Sequence, residues 1–192
     1  MKSIAKITSA LILSFGLANA SEYTIDNSHT NVGFSVKHMM ITNVKGDFKT
    51  YDATIDFDKD KKTFKILKAS IDTASIDTEN EKRDEHLKSD DFFNSTKFPK
   101  MTFEMTSYKA DGNEGKMDGN LTIRGITKPI TLKIEDISTI KDFKGQNRVG
   151  FSFEGKINRL DYDLKWNKVL EAGGVAVAEE VKIVVNIEAV EK

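Results

Sequence analysis

Hydrophobic and polar residues alternate along most of the chain with a period of two. The first clear run lies between residues 31 and 38, where Val32, Phe34 and Val36 alternate with small or polar neighbours. This is the pattern of a β-strand that buries one face. Later runs repeat it at residues 53–57, 67–71, 101–105, 117–123, 130–134, 149–155 and 181–187.

Turn-forming segments separate these runs, for example residues 111–115 and 144–147. Such segments are typical of hairpin connections. About eight long strands joined by hairpins, without crossover helices, predict an all-β antiparallel fold, either a closed barrel or a two-sheet sandwich. Since no repeat or break in composition divides the chain, residues 21–192 are predicted to form one domain.

One segment breaks the alternation. Residues 80–89 are polar and rich in helix formers, and either Thr78 or Asn80 could cap a helix that starts there. The aromatic pair Phe92 and Phe93 follows it. We therefore expect a short surface helix in a long connection that covers one mouth of a barrel.

The first twenty residues have the pattern of a secretory signal peptide. Lys2 and Lys6 precede an apolar stretch from residue 7 to residue 18, and residues 18–20 (Ala-Asn-Ala) form a small-x-small site that signal peptidase accepts. The stretch is shorter than the ~20 residues that span a bilayer. We expect cleavage before Ser21 and a periplasmic or secreted protein, without stable membrane insertion.

Composition narrows the classes of function. The 192 residues include 29 basic and 30 acidic side chains, and loss of residues 1–20 removes two lysines and no acid. This balance argues against a nucleic-acid partner, which requires a clustered excess of positive charge. Because the chain has no cysteine, thiol catalysis and thiolate metal sites are excluded.

The residues show no recognisable catalytic arrangement. The serines lack a Gly-x-Ser-x-Gly setting, and no Gly-x-Gly-x-x-Gly fingerprint is present. His29 and His38 could form a metal site with Asp26 or Asp84, but a histidine on a strand more often bonds to a carbonyl or carboxylate oxygen. We therefore predict neither an enzyme nor a resident metal or cofactor.

Arginine is scarce beside lysine, and Arg83, Arg124 and Arg159 are three of the four in the chain. A guanidinium group binds carboxylates and phosphates through a planar fork of donors. These side chains therefore have two interpretations. They either meet the polar head group of a ligand at the barrel mouth, or pair with Asp84, Asp161 or Asp26 to fix loops.

Four sequence blocks occur in order along the chain. They are residues 23–48, which begin Tyr-Thr-Ile-Asp-Asn-Ser-His; 83–99, which begin Arg-Asp-Glu-His-Leu; 119–129, which begin Gly-Asn-Leu-Thr-Ile-Arg-Gly; and 157–162, Ile-Asn-Arg-Leu-Asp-Tyr. Together they resemble the YceI-like family of small secreted lipid-binding barrels of bacteria. The resemblance implies a lipocalin-like eight-stranded antiparallel β-barrel that holds a polyisoprenoid or another long-chain amphiphile, often as a homodimer.

The chain departs from the family pattern after Tyr162, where the family commonly has glycine and this chain has Asp163. If that position requires a positive φ, Asp adopts it less readily than Gly. The loop that leads to Trp166 could then differ in shape.

Aromatic residues near these blocks would fill a solid barrel or line a hollow one, and the pattern alone leaves both open. The resemblance favours the hollow barrel, and gap-tolerant methionines favour it too. The predicted ligand-binding residues are Phe34, Val36, His38, Met39, Arg83, Phe92, Phe93, Met101, Phe103, Arg124, Phe151, Phe153, Arg159, Tyr162 and Trp166.

We accordingly expect an exported protein that sequesters or transports a polyisoprenoid or a similar long-chain lipid. Two alternatives stay open at this point. One is an enzyme that acts on an isoprenoid lipid, with a histidine as base. The other is a protein-interaction module whose barrel is filled by its own side chains.

Overall fold

A computed structural model describes residues 20–171 and 173–192. The strands are β1 (Ser21–Ile25), β2 (Asn31–His38), β3 (Thr42–Phe48), β4 (Tyr51–Asp58), β5 (Thr63–Asp72), β6 (Ile76–Asp77), β7 (Lys100–Asp111), β8 (Glu114–Ile123), β9 (Ile126–Lys141), β10 (Asn147–Asn158) and β11 (Val177–Glu191). Helix α1 spans Glu81–Lys88, and 3₁₀ turns span Thr73–Ser75 and Arg159–Tyr162. Apart from Ala20, the predicted signal segment lies outside the described residues.

Within the described residues, the eleven strands form a closed antiparallel barrel of eight long strands. Irregular segments divide the first three long strands, so that β1 continues into β2, β3 into β4 and β5 into β6. The pairings show this continuity. The long strand β1–β2 pairs with β3–β4, because β1 pairs with β4 and β2 pairs with β3. The long strand β3–β4 also pairs with β5–β6, because β4 pairs with β5 and β3 pairs with β6. Strands β7 to β11 follow in order, and β11 returns to β1 and β2. The predicted antiparallel barrel is therefore confirmed, and the sandwich is not formed.

The two ends of the barrel are here called the mouth and the base. The mouth carries the β2–β3 turn (residues 39–41), the β8–β9 turn (124–125), the connection 78–99 that contains α1, and the segment 159–176 between β10 and β11. The base carries the turns at residues 59–62, 112–113 and 142–146. In the part of the chain that the structure describes, no helix is long and apolar enough to cross a membrane.

Helix α1 confirms the predicted short helix in the long connection. Its N-cap is Asn80, whose side-chain oxygen accepts a hydrogen bond from the backbone N–H of Arg83 at 3.0 Å. Thr78, the other candidate, instead donates to the buried carboxylate of Asp84 through its backbone N–H and its hydroxyl. These bonds fix the segment that leads from the barrel wall into the helix.

Candidate functional site

The interior of the barrel is packed solid at the base. Phe57 and Phe64 have ring centroids 4.8 Å apart, and Phe64 and Phe151 are 5.0 Å apart. Ile55 and Ile134 are fully buried. Aromatic contacts at these distances stabilise a core beyond the area they bury. This half of the interior is therefore filled by the chain's own side chains.

The half nearer the mouth encloses an apolar cavity. Side chains from strands all round the barrel line it, together with Leu87, Phe92 and Phe93 from the connection over the mouth. The centres of water-sized molecules could occupy about 200 Å³ of it, whereas one water needs roughly 10–15 Å³ on that measure. The cavity is thus far larger than a packing void, and its lining suits an apolar ligand better than water.

Small side chains help to keep this half open. Ala53 on β4 and Ala69 on β5 stand opposite each other in the ladder, and both face the cavity. Ala69 is also opposite Phe103 on β7, whose ring lines the cavity. A Cβ atom at Gly119 would collide with that ring. A larger side chain at Ala53 or Ala69 would therefore project into the empty space.

The structure brings eight of the fifteen predicted ligand-binding residues together around the cavity. They are Phe34, Val36, Phe92, Phe93, Met101, Phe103, Phe153 and Arg159. The other seven do not line it: His38, Met39, Arg83, Arg124, Phe151, Tyr162 and Trp166. Most of these seven lie at the mouth, whereas Phe151 belongs to the packed base.

Arg83 and Arg124 bond to the connection over the mouth. Arg83 donates from Nε to the hydroxyl of Thr78 and from Nη2 to its carbonyl oxygen, both at 2.7 Å. Arg124 donates from Nη1 to the carbonyl oxygens of Asp90 and Phe92. Both guanidinium groups therefore fix the loop that covers the barrel, but through carbonyl and hydroxyl oxygens. In the described part of the chain, the pairs with Asp84, Asp161 or Asp26 that the second interpretation expected do not form.

Arg159 lines the cavity but directs its donors away from it. The side chain is only 3% exposed. Its Nε donates to the carbonyl oxygen of Ala178, its Nη1 to those of Leu164 and Trp166, and its Nη2 to that of Val177. Burial lowers the pKa of Arg159 from its ordinary value. Arg159 therefore clamps the segment 164–178 to the end of the barrel.

An aromatic cluster joins the α1 connection to the segment after β10. The ring of His86 lies 4.8 Å from that of Trp166, and Phe92 lies 5.5 Å from Trp166. His86 Nε2 is 2.9 Å from Asp91 Oδ2. Asp163, which stands where the family commonly has glycine, has a φ of 62°. The chain thus adopts the left-handed conformation there without glycine, and Trp166 reaches the helix.

Tyr162 supplies a buried hydroxyl near this cluster. The residue is 1% exposed, and its hydroxyl has no hydrogen-bond partner among the described residues. Burial, followed by the negative charge of Asp161, raises the pKa of Tyr162 to about 12. An unpaired buried hydroxyl destabilises the fold.

The histidines do not form the metal site considered from the sequence. His29 and His38 are separated by the length of β2, while His29 meets Asp26 and Glu188 with ligand atoms within 4.8 Å of one another. Nη1 of Arg148 already lies 2.8 Å from Asp26 and 2.5 Å from Glu188. Hydrogen bonds from Ser28 and then from Arg148 hold the pKa of Asp26 well below its usual range. A guanidinium group therefore occupies the place that a metal ion would take.

Many aliphatic residues that line the cavity were missing from the predicted set, for example Leu67, Leu121 and Ile183. Their inward positions followed from the alternation, so this signal was sufficient to include them. Leu164 and Val177 also line the cavity, but they lie at or beyond the ends of the regular runs. The alternation gave no signal for these two.

Comparison with known proteins agrees with this architecture. The model of the YceI-like domain matches residues 23–189. A YceI protein of Shigella flexneri is 38% identical over 194 residues, which cover 100% of this chain and 98% of that protein. The YceI protein of Escherichia coli O157:H7 has the same identity and coverage.

Solved structures share the barrel. A YceI protein of Campylobacter jejuni has a TM-score of 0.73 and 44% identity, covering 88% of this chain and 98% of that chain. A polyisoprenoid binding domain from Saccharophagus degradans has a TM-score of 0.65 and 14% identity, covering 91% of this chain and 100% of that chain, and shows the common fold alone. Because the family model and full-length relatives match almost all of the barrel, the chain belongs to the YceI-like family.

Proposed function

We propose that this protein binds a long-chain lipid, with a polyisoprenoid as the leading candidate, and carries it in the periplasm or outside the cell. The apolar cavity in the mouth half of the barrel is the observation that carries the proposal. The shared fold of the Saccharophagus degradans polyisoprenoid binding domain supports an isoprenoid ligand. The signal-like residues 1–20 support the compartment.

The energy available from the cavity is sufficient for useful affinity. Burying about ten methylene groups contributes roughly 8 kcal/mol at ~0.8 kcal/mol each, which corresponds to about micromolar binding. Ordering of the ligand reduces this gain, and a longer chain restores it. Shape and apolar contact therefore account for recognition of the tail.

The head group of the ligand belongs at the mouth in this proposal. The donors of Arg159 that could have met it inside the cavity are bonded to carbonyl oxygens of the segment 164–178. A charged head group in the apolar interior would be unpaired, at a large cost in free energy. We therefore expect the tail to enter first and the head to stay near the solvent.

The hollow mouth half disfavours the alternative of an interaction module with a filled barrel. The enzyme alternative required a histidine as base, but His29, His38 and His86 are all absent from the cavity lining. Lipid binding without chemical conversion is the function that this geometry supports best.

A binding experiment with a blocked cavity tests the proposal. Protein purified without detergent is extracted with organic solvent, and the extract is analysed by mass spectrometry for stoichiometric lipid. The extracted protein is then titrated with a fluorescent long-chain probe. Ala69→Trp should weaken probe binding by about tenfold or more because the indole occupies the cavity.

The matched control is Thr54→Trp, which places the same side chain at an exposed position on the neighbouring strand β4. This variant should bind the probe like the unmodified protein. Absence of extracted lipid together with equal probe binding by Ala69→Trp would contradict the proposal.

A further inference from the structure

The β2–β3 turn exposes apolar side chains at the mouth of the barrel. Met40 is 58% exposed and Ile41 is 80% exposed, and Met39 beside them is also exposed. Exposed apolar residues that occur singly are ordinary, but a contiguous group marks a contact surface. These three residues are consecutive and occupy the tip of the hairpin.

The conformation of this turn is a second unusual feature. Ile41 donates its backbone N–H to the carbonyl oxygen of His38 at 3.1 Å, and the two central residues, Met39 and Met40, have φ values of 49° and 63°. A β-turn with positive φ at both central positions favours Asn-Gly. Two methionines here are strained and apolar, so neither turn stability nor solubility accounts for them.

The segment after β10 extends the same surface. Met39 donates its backbone N–H to the carbonyl oxygen of Ala176 at 2.8 Å, which fastens the turn to this segment. Val169, 81% exposed, is bridged to Val175 in the same segment. We call Met39, Met40, Ile41 and Val169 the lip.

The lip lies next to residues that line the cavity. Val36 and Val177 both line the cavity, and His38, which precedes the turn, pairs with Val177 in the ladder. A lipid that leaves the cavity near these residues would pass from one apolar surface to another. The lip is therefore placed where exchange of a lipid would occur.

Four lysines lie in the segments that flank the lip. Residues 34–46 contain Lys37 and Lys45 and no acid, and residues 164–170 contain Lys165 and Lys168 and no acid. Lys165 pairs with Asp163 at 2.7 Å, while Glu171 is the acid that follows in the same segment. The connection 78–99 at the same end contains six acids and four bases, so the positive charge is confined to the segments that flank the lip and does not extend over the whole mouth.

From these observations we propose that the lip docks on the surface of an anionic lipid bilayer. Its apolar side chains enter the interface, and the surrounding lysines meet lipid phosphates. Apolar burial combined with attraction to anionic lipid is the usual basis of reversible membrane contact. The purpose of this contact, loading or release of lipid, rests on the proposed function, whereas the contact itself does not.

Vesicle co-sedimentation tests the proposal, using vesicles of three parts phosphatidylethanolamine to one part phosphatidylglycerol. The informative variant is Met39→Asn with Met40→Gly, which removes apolar surface and supplies the preferred turn residues. Because the turn strain is relieved, the melting temperature should stay the same or rise. Partition to the vesicles should fall by about tenfold, since two apolar side chains no longer enter the interface.

The control variant is Phe143→Ser. Phe143 is a fully exposed aromatic residue in the turn 142–146 at the base, next to Lys144, and so resembles the lip in local chemistry. It lies at the opposite end from the cavity. Phe143→Ser should therefore keep full partition to the vesicles.

Equal partition by the Asn-Gly variant and the unmodified protein would overturn the proposal, and so would loss of partition in Phe143→Ser alone. The proposal would also be overturned if the unmodified protein did not partition to the vesicles, whether or not the lip then proved to bind a protein. The cavity-blocked variant Ala69→Trp separates this proposal from the previous one. It should lose probe binding and still partition to the vesicles.

Discussion

A substitution that fills the cavity should raise the free energy of unfolding if the mouth half of the barrel is hollow, and lower it if that half is packed. Ala69 and Ala189 are both alanines that face the barrel interior. Ala69 lines the cavity. Ala189 does not line it, is fully buried and lies opposite Ile25 and Val149 in the ladder. Replacement of each by leucine adds the same three carbon groups to two different environments.

At Ala69 the added groups are buried without displacing a neighbour. Three groups at about 0.8 kcal/mol each contribute about 2.4 kcal/mol, from which restriction of the leucine side chain removes roughly 0.5–1 kcal/mol. Ala69→Leu should therefore raise the free energy of unfolding by about 1–2 kcal/mol. At Ala189 the same groups overpack the interior, and the free energy of unfolding should fall by about 1–3 kcal/mol.

Urea unfolding followed by the fluorescence of the single tryptophan, Trp166, measures both changes. Lipid must first be extracted, because a ligand bound to the native state adds its own stabilisation. A decrease for Ala69→Leu as large as that for Ala189→Leu would refute the hollow mouth half of the barrel.

Three further substitutions test single contacts. Because the pKa of Asp26 is lowered in the folded state by Ser28 and Arg148, its stabilisation is present above the unfolded pKa of about 3.9 and is lost as pH falls toward the folded value. Asp26→Asn should thus destabilise the protein at pH near 7 and much less in strong acid, as measured by urea unfolding; an equal loss in acid would contradict this. Arg159→Leu should cost about 3 kcal/mol, because buried carbonyl oxygens lose their donors, and limited proteolysis should cut the segment 164–178 faster; unchanged cleavage would show that Arg159 is not a clamp. Tyr162→Phe should keep or raise the melting temperature, since it removes an unpaired buried hydroxyl, and a clear fall would indicate a hidden partner.

The barrel could be predicted because alternation reports directly on one-sided burial. Its interruptions were harder to place. The break between β1 and β2 at residues 26–30 depends on the bonds of Asp26 to Ser28 and to Arg148, which lies far away in the sequence. A period of two contains no information about such distant partners. The alternation therefore indicated about eight long strands and the resemblance indicated eight, whereas the structure shows where they bend.

The candidate site was only half predictable for a related reason. Phe151 and Phe153 are two residues apart on β10 and both point inward, yet Phe153 lines the cavity and Phe151 contacts Phe64 in the packed base. Which level of the barrel a residue occupies depends on the stagger between strands, and the sequence of one strand does not specify it. The carbonyl partners of Arg159 are also set by loop conformation, which residue type alone does not determine.

Closure of the barrel pairs the first strand of the chain, β1, with the last strand, β11. Tyr23 on β1 pairs with Glu191 on β11, and the backbone N–H of Lys192 donates to the carbonyl oxygen of Glu22. Contacts between such distant positions form late, because a long loop must close first. Until β11 arrives, the long strand β1–β2 and strand β10 are left as open edges that can pair with other chains. A newly made chain therefore remains vulnerable to aggregation until its final strand is in place, and a chaperone that protects it must shield those two edges.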